Sequence, residues 1–130
     1  FHDRCDNKGA TLTIIKPPTI GYLEVTTPGI GLQRMVIREA SSGSFLFTLT
    51  NPHGIPPTQY FCSSHDFAVY NHATYGPTFG GGNDLTVWEY GGSSSFFDFP
   101  RKYTDTTGLG GSTFTGQRVF DVKEIEVFAI

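Results

Sequence analysis

The chain reads as a mainly β protein, a two-sheet antiparallel β-sandwich with few short helices, on three observations. Short runs of β-branched and aromatic residues recur along it. Turn residues punctuate these runs at short intervals, with 16 Gly and 8 Pro in 130 residues. No twelve-residue window carries an apolar stripe at helical spacing. Many short strands so spaced pack as sandwiches or barrels.

The expected strands, in order, are residues 11–15 (TLTII), 34–39 (RMVIRE), 44–50 (SFLFTLT), 66–70 (DFAVY), 85–90 (LTVWEY) and 122–130 (VKEIEVFAI). Between them lie Asp6-Asn7-Lys8-Gly9, Pro28-Gly29, Ser41-Ser42-Gly43, Asn51-Pro52-His53-Gly54, Gly91-Gly92 and the glycine-rich stretch 108–111. In such turns Gly supplies positive φ, Pro fixes φ, and Asn or Asp bonds its own backbone. A short helix is expected within 96–105, limited by Pro100. Residues 1–130 form a single expected domain, within the common size of roughly 100–150 residues.

Composition narrows the function classes. Charged residues are 16%, under the ~25% usual for soluble domains, and twelve Phe and six Tyr supply a core of large flat side chains. With a net charge of −3 and nine scattered Lys and Arg, the chain lacks the basic patch that nucleic-acid binding requires. No apolar run approaches the ~20 residues of a membrane helix. The chain starts at Phe1 rather than Met, as a mature processed protein or a trimmed domain would; with processing preferred and the charge low, a secreted protein is expected, with a cytoplasmic one as the alternative. Cys5 and Cys62 form one disulfide if the compartment is oxidising, or stay as two buried thiols.

Four segments in order, FHDRCDNKGATLTIIK (1–16), SGSFLFTLTNP (42–52), YGPTFGGGNDLTV (75–87) and EIEVFAI (124–130), resemble the TLDc domain, the module of the oxidation-resistance proteins. The resemblance implies a β-sandwich of two antiparallel sheets flanked by short helices. It also implies a role in oxidative-stress protection or in contact with the vacuolar proton pump.

The motifs of enzymes are missing. No HExxH, GxSxG or CxxC is present, so neither a catalytic assignment nor a metal or other cofactor is expected. His65 and His72 flank the expected strand 66–70, too far apart for shared ligation. Glu124 and Glu126 share one face of the last strand, where a solvated face is the simpler reading than a glycosidase pair. The glycines 80–82 lack the flanking pattern of a phosphate loop, and Asn83-Asp84 lacks the alternating acids of a calcium loop.

The stretch 85–90 says more. With Leu85 and Val87 in the core, alternation turns Thr86, Trp88 and Tyr90 to the other face, so the only Trp of the chain stands on a ledge. Three readings are open: Phe96, Phe97 and Phe99 cover the ledge; it is a protein interface, including one between copies; or it stacks against a sugar ring. In the last, Asn83, Asp84, Glu89, Asn71 and His72 bond the hydroxyls beside Trp88 and Tyr90. The resulting expectation is a secreted glycan-binding protein for galactose-type or N-acetyllactosamine-type sugars, acting as a homo-oligomer because one shallow site binds weakly. Its alternative is an intracellular interaction domain of the TLDc kind.

Overall fold

The computed structural model describes residues 11–17, 44–63, 68–70, 74–88 and 94–129. Among them run eight strands: β1 (Thr11–Lys16), β2 (Phe45–Thr48), β3 (Thr58–Phe61), β4 (Thr78–Phe79), β5 (Leu85–Thr86), β6 (Ser95–Phe97), β7 (Val119–Phe120) and β8 (Glu124–Ala129). They pair antiparallel throughout, as β1–β8, β2–β3 and the four-stranded order β4-β5-β6-β7. The chain is therefore mainly β with antiparallel sheets, as expected, and the described strands fall into three sheets where two were expected.

One cluster joins the sheets. Leu46 and Tyr60 face each other across β2–β3; Phe79, Leu85, Phe97 and Phe120 come from the four-stranded sheet, Ile15 from β1, and all seven are buried. Phe114 is the hinge of this packing, because its ring lies 4.9 Å from Phe97, 5.4 Å from Phe99 and 5.6 Å from Tyr60. Aromatic residues dominate because flat rings at these offsets fill space between twisted sheets while gaining edge-to-face or stacked contacts.

The expected strand 11–15 is present and runs one residue further, 44–50 and 122–130 are present with trimmed ends, and 34–39 lies outside the described residues. Two expectations are corrected. Of 66–70, the described part 68–70 makes only an isolated bridge from Val69 to Phe79. The expected helix in 96–105 gives way to β6 and an irregular segment, because Phe97 and Phe99 both enter the core and Asp84 takes the backbone donors of 101–103. Among the described residues the helical structure is one 3-10 turn, Gly110–Ser112.

Buried polar groups brace the loops. The Tyr103 hydroxyl donates to Ala68 O at 2.8 Å. Asp105 accepts from the backbone N–H groups of Thr107, Gly108 and Gly110 and from the Thr107 hydroxyl. Having given its proton to Asp105, the Thr107 hydroxyl accepts from Tyr60 Oη at 3.0 Å.

These bonds set a pH profile. Burial raises the Tyr60 and Tyr103 hydroxyls above their ordinary value. At Asp105 burial pushes upward, but the bonds from Gly110, Thr107 and Gly108 together outweigh it, leaving the carboxyl below its ordinary value. Asp98 is also lowered, first by the Arg118 hydrogen bond. A raised tyrosine contributes stability that is full below about pH 10 and is lost as pH rises further. A lowered aspartate contributes stability that is present above about pH 4 and is lost as pH falls. Urea midpoints measured against pH should thus fall on both sides of a neutral plateau, and Tyr103→Phe should flatten the alkaline limb.

Candidate functional site

Among the described residues, the sequence-derived site residues Asn83, Asp84 and Trp88 fall in two places. Asn83 and Asp84 belong to the turn entering β5, whereas Trp88 stands past its other end, roughly 13 Å along an extended chain from Asp84. Glu89, Tyr90, Asn71 and His72 lie outside the described residues.

Asp84 is corrected outright as a ligand-facing group. It has no exposed surface, and its Oδ1 accepts from the N–H groups of Arg101, Lys102 and Tyr103 at 2.6, 3.1 and 3.1 Å, while Oδ2 accepts from Lys102 at 2.9 Å. Its carboxylate ties the β5 turn to the segment beyond β6. Gly80, with φ +87°, lies so close that a Cβ there would collide with Asp84 Oδ2. Asn83 takes the remaining positive-φ corner at φ 60° and donates its N–H to Gly80 O. The glycines serve a turn.

The two faces of the four-stranded sheet follow from its register. Phe79, Leu85, Ser95, Phe97 and Phe120 share the core face; Thr78, Thr86, Phe96 and Val119 share the outer one. Leu85 and Val87 are inward, as the alternation requires, but Thr86 on the outer face is also fully buried, and its Oγ1 has no hydrogen-bond partner. Phe97 and Phe99 turn to the core and do not cover the ledge. Phe96 stays outside with the Arg118 guanidinium 5.3 Å above its ring; Arg118 in turn holds Asp98 at 3.0 Å.

Trp88 is half-buried, and its companion is Tyr75, whose ring meets it edge-on at 4.5 Å. Tyr75 continues to Tyr70 at 5.9 Å, and Tyr70 is 43% exposed. An aromatic strip Tyr70–Tyr75–Trp88 therefore runs off the end of β5. Trp88 is fixed by its backbone N–H, which donates to Ser95 Oγ at 3.2 Å.

Continuing the β5–β6 register by two steps beyond its last pair sets Trp88 opposite Ser94, and continuing the β6–β7 register by one step sets Ser94 opposite Asp121. Adjacent strands lie about 5 Å apart. Ser94 and Asp121 also line a groove of about 270 Å³ with Pro17, Thr115, Gln117, Val119 and Phe120. Its lining combines apolar Pro17, Val119 and Phe120 with two hydroxyls, an amide and a carboxylate. Trp88 thus stands one strand away from a groove, in a cross-strand row the sequence alone conceals. The polar lining residues come from β6 and from the chain leading into and out of β7, and only their register unites them. Val119, 46% exposed, shows itself as an apolar residue at a surface only once the fold is known.

Other candidates have separate surroundings. His53 Nε2 donates to Ser112 O at 2.7 Å and ties two loops. Glu124 and Glu126 are exposed on one face of β8, with Lys16 Nζ 3.7 Å from Glu124. Cys62 is half-buried at its bridge to Tyr103, and Cys5 lies outside the described residues. Among the described residues no three His, Cys, Asp or Glu side chains gather as a metal site, and no helix is long and apolar enough to cross a membrane. No family model, curated protein or solved structure matches the chain.

Proposed function

We propose that this chain is a glycan-binding module that takes a galactose-type or N-acetyllactosamine-type sugar in the groove beside Trp88. One observation carries the reading: a groove lined by apolar residues together with hydroxyls, an amide and a carboxylate, whose Ser94 lies across from Trp88 when the β5–β6 register is continued. A pyranose has an apolar C–H face and polar edges, and pockets that combine apolar walls with a few placed polar groups match that division. A groove of about 270 Å³ is small among ligand pockets and suits one or two rings, so single-site binding is weak. Self-association and secretion belong to the same proposal, since avidity gives a weak site its effect on cells.

The test is calorimetric titration with N-acetyllactosamine, alongside haemagglutination with sugar inhibition. Binding is expected, with Trp88→Ala weakening it roughly tenfold, as the loss of an aromatic anchor does. No heat and no agglutination at millimolar sugar would sink the reading.

A second reading, a TLDc-type domain that binds protein partners, is favoured by a different surface. The outer face of β2–β3 groups Phe45 with Phe47 at 6.2 Å and with Phe61 at 5.7 Å, and Phe61 is 53% exposed. Aromatic residues are enriched at interface cores. Loss of partner capture on Phe61→Ser, with sugar titrations silent, is the result that would select it.

A further inference from the structure

We infer that the groove discriminates by charge, admitting uncharged sugars and turning away sialylated or sulfated ones, with Asp121 as the discriminating residue. The inference rests on the glycan reading above and adds to it the class of sugar.

Among the described residues lining the groove, Asp121 is the one with a charged side chain. It is exposed, at the exit of β7, with its carboxylate on the same row as Ser94 and Trp88. Of the cations close to it in sequence or register, two have other engagements. Lys16 Nζ stands 3.7 Å from Glu124, and Arg118 holds Asp98 at 3.0 Å while covering Phe96. Lys123, two residues on, is exposed at the entry to β8 and does not line the groove.

Two effects then act in one direction. A neutral sugar offers hydroxyls that donate to the Asp121 carboxylate, and hydrogen bonds to an ionised acceptor are shorter and stronger than neutral ones. A sialyl or sulfate group brings a second anion to the same groove. At about 4 Å in water the repulsion alone lowers affinity about fivefold.

The experiment titrates the full chain with N-acetyllactosamine and with its sialylated counterpart, at low and at high salt. The neutral sugar should bind about fivefold or more tightly, with the gap closing as salt screens the carboxylate. Asp121→Asn keeps the side-chain size and should narrow the gap at low salt without moving the thermal midpoint. Equal binding of both sugars by the parent protein overturns the discrimination and leaves the glycan reading standing. A gap that Asp121→Asn and salt both leave unchanged overturns the role of Asp121. Binding of neither sugar overturns the glycan reading and this inference with it.

Discussion

Gly80→Ala should destabilise the fold by about 4 kcal/mol or more, measured as the shift in urea unfolding free energy. A left-handed backbone conformation costs a side-chain-bearing residue roughly 1–2 kcal/mol, and Gly80 sits at φ +87°. The larger contribution is steric, since the new methyl group collides with Asp84 Oδ2 and Asp84 has no room to retreat at zero exposure. Overpacking of this kind costs typically ~1–3 kcal/mol, and displaced hydrogen bonds at 101–103 add to it. Small domains are stable by roughly 5–15 kcal/mol in total, so a substantial fraction of the margin goes. A loss under about 1 kcal/mol would mean the turn can open without disturbing the carboxylate.

The second large effect is expected at Asp84 itself. Asp84→Ala removes the acceptor of three backbone N–H groups, of which the Tyr103 donor is buried and the other two are partly so. A buried donor left without a partner costs about 1–3 kcal/mol, and water can reach some of the partly buried ones, so about 3–5 kcal/mol is expected for the site. The two substitutions share one contact and should not add. In the double variant Gly80→Ala with Asp84→Ala, the methyl group has lost its obstacle, so the combined loss should fall short of the sum by about 1–3 kcal/mol. A strictly additive pair would show that the collision is not what makes Gly80 necessary.

The strands with strong local signals were legible. TLTII, SFLFTLT and EIEVFAI concentrate β-branched and aromatic residues over at least five positions; β2 and β8 form within the latter two, and β1 covers the first and adds Lys16. The strands β4, β5 and β7 have two residues each, too short for period-two alternation to be recognised. At β6 the run FFDF reads equally well as a helical or an extended stretch. Its inward alternation at Phe97 and Phe99 becomes visible only with the partners in place. The alternation of 85–88 gave the correct inward pair and the correct side for Trp88, but not what lies across from it. Asp84 shows the same limit more sharply. A polar residue beside glycines offers a ligand contact and a turn brace with equal local plausibility, and the decision rests on backbone donors seventeen to nineteen positions away. Likewise the groove depends on a register between β6 and β7, which no local pattern encodes.

The β1–β8 pairing has a consequence for how the chain is made. Thr11 to Lys16 pair residue by residue with Ala129 back to Glu124, partners more than a hundred positions apart. Ribosomes add about 5–20 residues per second, so β1 leaves the exit tunnel roughly ten seconds before its partner strand exists. Throughout that interval Ile14 and Ile15, 5% and 4% exposed at the end, lack the strand that is to lie beside them. The nascent chain therefore carries an open, sticky edge until β8 is made, and a chaperone that holds such edges is the cellular factor on which its yield should depend.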